Sequence, residues 1–214
     1  LAGMEPTAKV VYAASAGNWI MRHEPEIWAR TAKYVMLPTY LNYKLTGNLI
    51  DSASNQIGHI PFDYKNRRWM KPGSLTRCFC DVPNEKLCDL VPSGTVIGTV
   101  TEEVSALTGI PAGLPLISTG SDKGCETLGL AVVDSDKASI SLGTTATIQF
   151  STTQYVEPQQ FLPAYPGVLN DHYNPEIEIY RGLWLLSWFV KEFGTAAAID
   201  AKEMGMAPEA PLPH

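Results

Sequence analysis

The chain predicts an α/β fold assembled from parts of two domains, and three observations carry that reading. Apolar residues recur at helical spacing through the first stretch, from Ala8 to Ala32. Between Leu116 and Phe150 a strand, a helix and two further strands follow in tight succession, as LISTGSDKGCETLGLAVVDSDKASISLGTTATIQF. The 214 residues are 45% hydrophobic and 18% charged, the balance of a globular chain long enough for one large domain or pieces of two.

Within the first stretch Val11, Ala14, Trp19, Ile20, Ile27 and Ala32 recur at roughly helical spacing, and the interruptions at Gly17 and Pro25 predict two helices rather than one. Tyr34 to Leu37 is a short apolar run, read as a buried strand. Pro38 suits the first turn of a helix through about Leu45, with Gly47 placed to stop it. Asp51 and Ser52 are positioned to cap a helix from Ser54 to His59. The segment from Lys65 to Pro92 is polar and turn-rich, with short helices expected around Leu75 and Leu87.

Thr95 to Val100 alternates as an edge strand does, and Thr101 then caps a helix that closes at Gly109. Pro111 and Pro115 bracket a turn into a strand, Leu116 to Thr119. The change of pattern near Ile110 to Pro115 divides the chain into domain pieces 1–112 and 113–214. A helix from Gly124 to Leu130 and strands Ala138 to Ser141 and Thr145 to Phe150 follow. The chain is irregular from Gln154 to Tyr180, helical from about Leu183 to Phe193, and stops at Gly194. Three prolines in the nine residues from Met206 to His214 describe a loose tail.

A formal net charge of −6 and a pI near 5.2 exclude a nucleic-acid-binding surface, and the basic run Lys65-Asn66-Arg67-Arg68 is too short to change that. No run approaches the roughly 20 apolar residues that span a bilayer, and no basic start leads into an apolar segment. A cytoplasmic protein with no membrane partner is expected, compatible with a homodimer. The start at Leu1 reads as a cut from something longer. Cys78 and Cys80 form C-x-C, with Cys88 and Cys125 apart from them, so the paired spacing of a zinc site is absent and reduced, structural cysteines are expected. His23, His59 and His172 are too scattered for metal or triad chemistry. Trp184, Trp188 and Phe189, at helical spacing, read as core.

Two loops could carry chemistry. Asp122 follows Gly120-Ser121 where a strand gives way to a helix, the end of an α/β sheet at which ligands bind. A carboxylate there can take the proton of a substrate hydroxyl attacking a phosphoryl group, or it can simply cap the helix. Gly143-Thr144-Thr145 follows an apolar strand; its backbone amides and hydroxyls can hold phosphate oxygens, or it can be a plain hairpin turn. It is not a Walker A loop, because no Gly-Lys-Ser/Thr is present.

Taken together, Gly120-Ser121-Asp122-Lys123-Gly124, Thr127-Leu128-Gly129 and Ser141-Leu142-Gly143-Thr144-Thr145 resemble the FGGY carbohydrate kinases of the xylulokinase and glycerol kinase kind. In that family a G-x-x-D-Q/N turn carries the catalytic base, and S-L-G-T-S/T binds ATP phosphates some 20 residues on; here 21 residues separate Asp122 from Gly143. Glu24-Pro25-Glu26-Ile27-Trp28-Ala29-Arg30-Thr31-Ala32-Lys33 is similar to the N-E-P-E-x-x-x-R-T/A segment, and Pro38-Thr39-Tyr40-Leu41-Asn42-Tyr43-Lys44-Leu45-Thr46-Gly47 to the D-Y-L-x-Y-R-L-T-G helix and turn. Asp51 to Ser54, Phe62-Asp63 and Trp69 match the stretch that follows, and Trp184 to Gly194 resembles L-x-W-F-x-x-x-F-G.

The resemblance implies an RNase H-like (actin-type ATPase) fold, with the end of the first domain joined to the start of the second. It implies a sugar or polyol as acceptor, ATP and Mg²⁺ as cofactors, Asp122 as general base, and Gly143, Thr144 and Thr145 at the ATP phosphates. Asp122 would also approach the metal indirectly, through water. Lys123 stands where the family has Gln or Asn that can touch substrate, so it is either a contact to an acidic or richly oxygenated sugar or the partner of Glu126. The turn Asn55-Gln56-Ile57-Gly58-His59 departs from the usual D/N-A-S-G-T. The family's N-terminal D-x-G-T phosphate loop and C-terminal G-G-G-x adenosine loop are absent, so this chain alone is expected to be inactive. The substitution at Lys123 leaves a rival reading open, a non-catalytic sugar- or nucleotide-binding protein on the same fold.

Overall fold

Ser15 ends one helix and begins the next, so three helices stand where two were expected: α1 (Glu5–Ala14), α2 (Ala16–His23) and α3 (Pro25–Arg30). The computed structural model describes residues 5–58, 60–74, 77, 80–158, 162–194, 199 and 203–205. The expectations for His59, Leu75, Cys78 and the tail from Met206 lie outside these residues. The first break falls at Ser15, whose hydroxyl accepts from the Asn18 amide, and not at Gly17. Gly17 is buried inside α2, where a Cβ would stand 2.7 Å from the Val82 side chain.

The run Tyr34 to Leu37 is not a strand. Its neighbour is the single 3₁₀ turn Asn84–Lys86, which offers the Tyr34 amide one carbonyl (Lys86, 2.7 Å) and no ladder. Helix α4 (Leu37–Thr46) follows, stopped as expected by Gly47 in the left-handed region. Strand β1 (Ile50–Ser52) runs into a single 3₁₀ turn, Ala53–Asn55, in place of the longer helix expected there. Ser52 does cap it, its hydroxyl accepting from the Ser54 amide at 3.0 Å. Strands β2 (Phe62–Asp63) and β3 (Arg68–Trp69) form a hairpin, and β4 (Asp89–Val91) pairs in parallel with β1.

Strand β5 (Val96–Thr99) and helix α5 (Glu102–Thr108) follow, the helix capped by Thr101 and closed by Gly109 as the sequence predicts. Antiparallel to β5 lies β6 (Pro115–Ile117), which leads to α6 (Asp122–Gly129). Strands β7 (Ala138–Leu142) and β8 (Ala146–Phe150) make a hairpin around residues 143–145. After the short pair β9 (Tyr165–Pro166) and β10 (Tyr173–Asn174), strand β11 (Glu176–Ile179) adds to the free edge of β8, giving the order β11-β8-β7. Helix α7 (Trp184–Phe193) ends at Gly194.

The apolar core beneath the first half is two small clusters, Ala53-Ile60-Phe62 and Cys80-Val82-Leu87, bridged by Trp69. The three-stranded sheet is patterned the other way. Its buried positions are Ser139, Thr147 and Gln149, on the α6 side, while Ile140, Leu142, Ile148, Ile177 and Ile179 are exposed. Trp184, Trp188 and Phe189 are likewise about half exposed, so the core expected of them is not formed by the described residues. Cys80, Cys88 and Cys125 are unbridged, and burial pushes the Cys88 thiol up to about 11. Among the described residues no helix is long and apolar enough to cross a membrane.

Candidate active site

Ser54 supports the turn that carries Asp122. Its carbonyl accepts the Ser121 amide at 3.1 Å, its hydroxyl donates to the Gly167 carbonyl at 2.6 Å, and a Cβ on Gly120 would lie 3.4 Å from its own Cβ. A second prop runs from Ser52 Oγ to Ser93 Oγ (2.9 Å) and from Ser93 Oγ to the Thr119 carbonyl (3.0 Å). Beside both sits Asp51, buried and with no cationic partner among the described residues. Its carboxylate accepts the Thr39 hydroxyl at 2.6 Å, the Ser52 amide at 2.7 Å and the Asn55 side-chain amide at 3.1 Å. Asp51 thus stabilises the strand end from which this floor is built.

Ser121, not Asp122, caps α6: its hydroxyl accepts the Gly124 amide at 3.1 Å. That removes the capping duty from Asp122, which occupies the first helical position with its side chain exposed. One carboxylate oxygen accepts the Lys123 amide at 2.7 Å. Gly120 and Gly124 both face Val168, whose methyl would lie 2.7 Å and 3.2 Å from a Cβ at the two positions, so the turn fits closely against the 162–173 segment.

Lys123 takes the local partner the sequence offered and a second one it did not. Its Nζ lies 3.1 Å from Glu126 Oε2 and 2.6 Å from Ser141 Oγ. Ser141 is on β7, two residues before Gly143, so this bond brings the first turn of α6 beside the strand that delivers the Gly143-Thr144-Thr145 loop. One turn further on, Thr127 Oγ1 donates to Gln149 Oε1 (2.7 Å) and lies 3.2 Å from Ser139 Oγ. Gln149 Nε2 donates to Glu176 Oε2 at 2.6 Å. Burial raises the Glu176 carboxyl above the ordinary glutamate range, opposed by that hydrogen bond and by the charge of Lys123.

The Gly143–Thr145 loop is held by its carbonyls. The Gly182 amide donates to the Thr144 carbonyl (2.8 Å), the Leu183 amide to the Gly143 carbonyl (2.9 Å) and the Trp184 indole to the Thr144 carbonyl (2.9 Å). Among the described residues nothing takes the amides or hydroxyls of Thr144 and Thr145. The Gly143 amide turns inward to the Thr145 carbonyl (2.9 Å), so the open donors are those of Thr144 and Thr145, and open donors beside occupied carbonyls suit an anion, which is the requirement of a phosphate contact. Gly182 and Trp184 therefore support the candidate loop, a role that sequence reasoning missed, Trp184 having been read as core. The one local signal was a glycine directly before a helix start.

For Mg²⁺, the described residues contain no cluster of three or more His, Cys, Asp or Glu. A magnesium ion held by nucleotide phosphates and waters needs only one or two carboxylates, and exposed Asp122 fits that requirement.

Residues 6–129 match the family model for the N-terminal domain of the FGGY family of carbohydrate kinases. An uncharacterized sugar kinase of Escherichia coli is 32% identical over 171 residues, 79% of this chain and 35% of that protein. The xylulose kinase of Escherichia coli is 29% identical over 126 residues, 59% of this chain and 25% of that protein. The ligand-bound xylulose kinase of Lactobacillus acidophilus superposes with a TM-score of 0.74 at 19% identity, covering 97% of this chain and 42% of that one. The chain thus spans about a quarter to a third of the curated relatives it matches. The structural likeness establishes the fold as α/β of the RNase H-like, actin type.

Proposed function

Since the chain belongs to the FGGY family of carbohydrate kinases, we propose that it contributes the base and one phosphate contact to an enzyme that phosphorylates a sugar or polyol hydroxyl. The observation that carries the reading is the pairing of a freed, exposed carboxylate at Asp122 with the donor-rich loop at Thr144 and Thr145, joined by the Lys123–Ser141 bond. Asp122 accepts the proton of the acceptor hydroxyl as it attacks. Gly143 lets the backbone approach, and the amides and hydroxyls of Thr144 and Thr145 hold phosphate oxygens. ATP, bound with Mg²⁺, supplies the phosphoryl group, and Asp122 is the residue of this chain that would face the metal, through water. The Lys123 ammonium is turned to Glu126 and Ser141, so a direct sugar contact requires it to leave that pair.

Residues 1–112 and 113–214 are assigned to the first and second domains, although the family match to the first domain continues to residue 129. In the intact enzyme, closure of the two domains over the site excludes water. The 214 residues alone are expected to lack transfer activity, because the expected D-x-G-T and G-G-G-x loops are not in the sequence. A cytoplasmic setting and a homodimer remain part of the proposal. The rival, a non-catalytic sugar- or nucleotide-binding protein on the same fold, is the reading that Lys123 in place of Gln or Asn favours; the exposed Asp122 supports the kinase reading instead.

The test is an ATP-consumption screen of the full-length protein against pentuloses, hexuloses, polyols and glycerol, with Asp122→Asn in parallel. Transfer to at least one acceptor, lost in Asp122→Asn, is expected. No turnover with any acceptor, or an Asn variant as active as the parent, would sink the kinase reading.

A further inference from the structure

Helix α6 is seated on the sheet at two points, one turn apart. Thr127 makes the rear seat through neutral hydrogen bonds to Gln149 and Ser139. The front seat is Lys123 on Ser141, and among the described residues it is the one side-chain bond from the first turn of α6 to β7 or β8. Asp122 rides on that first turn, and Gly143 lies two residues beyond Ser141, about 7 Å along an extended strand. The front seat therefore ties the turn that carries Asp122 to the strand that leads into Gly143.

We propose that Lys123 is a positioning residue for phosphoryl transfer, its bond to Ser141 setting the separation of the Asp122 carboxylate from the Gly143–Thr145 loop. This rests on the kinase reading above. The Lys123 side chain is only 27% exposed, whereas Glu126 is 47% exposed. The pair with Glu126 is thus a surface one of small value, and it steers the ammonium toward Ser141 without anchoring it. The hydroxyl is the fixed partner, because Ser141 belongs to a strand paired with β8, opposite Thr147. A Gln or Asn at 123 reaches less far and carries no charge, so here the longer, charged side chain makes the join to Ser141. Loss of the bond lets the first turn tilt about Thr127, which moves the base and leaves the acceptor's other contacts in place.

The experiment uses the full-length enzyme and an acceptor found in the screen, with Lys123→Met, Lys123→Arg, Ser141→Ala and the Met/Ala double variant. The readouts are kcat, both KM values, and the ratio of sugar phosphate formed to ADP released. Lys123→Met is expected to lower kcat by ~10- to 100-fold, the effect of a misplacement of about 1 Å. The acceptor KM should stay within about twofold, and ADP should be released without product. Ser141→Ala should move the same way, the double variant should be no worse than Lys123→Met, and Lys123→Arg should recover most of the rate. If Lys123→Met is too unstable to assay, Ser141→Ala and Lys123→Arg decide the matter by the same ratio. Unchanged kcat and coupling ratio in Lys123→Met and Ser141→Ala overturn the proposal. So does a silent Ser141→Ala beside a raised acceptor KM in Lys123→Met, which makes Lys123 a direct substrate contact. Absence of turnover in the unsubstituted enzyme sinks the kinase reading itself, whereas turnover indifferent to these substitutions sinks this inference alone.

Discussion

Gly182 and Thr144 are joined main chain to main chain, the Gly182 amide donating to the Thr144 carbonyl at 2.8 Å, with no space for a Cβ between them. A methyl group at 182 would overlap the Gly143 carbonyl oxygen and stand 2.6 Å from the Thr145 carbonyl carbon, both of them backbone atoms that cannot swing aside. Gly182, Leu183 and Trp184 hold the Gly143 and Thr144 carbonyls, and this fixes the loop that presents the Thr144 and Thr145 amides.

Gly182→Ala should therefore displace the loop, with an overpacking cost of about 1–3 kcal/mol. In the intact protein the expected result is a lower Tm and ATP binding weaker by about tenfold, the equivalent of about 1.4 kcal/mol of lost phosphate contact. Acceptor binding should be unaffected. Calorimetric titration with nucleotide checks this, and unchanged ATP affinity counts against the loop's role.

Ser121→Ala removes the oxygen that accepts the Gly124 amide and should cost about 1 kcal/mol. Ser121→Asn, which can accept the same bond, should restore most of that. Thermal unfolding of the three proteins separates the two outcomes. If Ala and Asn are equally destabilising, the cap is not what Ser121 provides.

Asp51→Ala should be the costliest substitution in the floor, at about 3 kcal/mol. It leaves the Thr39 hydroxyl and the Asn55 amide without their buried acceptor. Denaturant unfolding measures the loss. A change below about 1 kcal/mol would mean that the surrounding groups find other partners.

Glu176→Gln should stabilise the protein at neutral pH and be neutral in acid. Burial raises the Glu176 carboxyl, so the folded form holds its proton more tightly than the unfolded chain does. Its contribution is present below the ordinary glutamate value and is lost as pH rises through the raised one. The uncharged amide has no such loss, and its oxygen can still accept from Gln149. Tm measured for both proteins from acid to neutral pH should coincide at the acid end and diverge upward in favour of Gln; divergence in the opposite sense refutes the argument.

What was legible in the sequence was what short-range chemistry decides. Thr101 and Gly109 bound α5, and Gly47 stops α4, because each cap lies within a few residues of the groups it satisfies. The Asp122 and Gly143 loops were legible as a pair only through a resemblance spread along the chain, since each alone is also a cap or a turn. Ser121 and Asp122 are adjacent residues, both able to cap, and only the observed backbone separates them. The strand β11 was hidden behind Pro175 in a segment otherwise lacking pattern. The Ser54–Ser121 and Gly182–Thr144 bonds join main-chain atoms 67 and 38 residues apart, where side-chain identity carries no signal. Lys123 advertised Glu126 three residues away, but not Ser141 on another element.

The inward polar face of the β7-β8-β11 sheet has a consequence for temperature. Apolar surfaces slide over one another with little penalty, and their cohesion fades in the cold. A helix seated on serine, threonine and glutamine side chains has neither freedom: each bond is aimed, so the joint closes in one register, as a key does in its lock. The seat of α6 on the sheet should hold its geometry from cold to warm, while the apolar clusters around Phe62 and Val82 soften first.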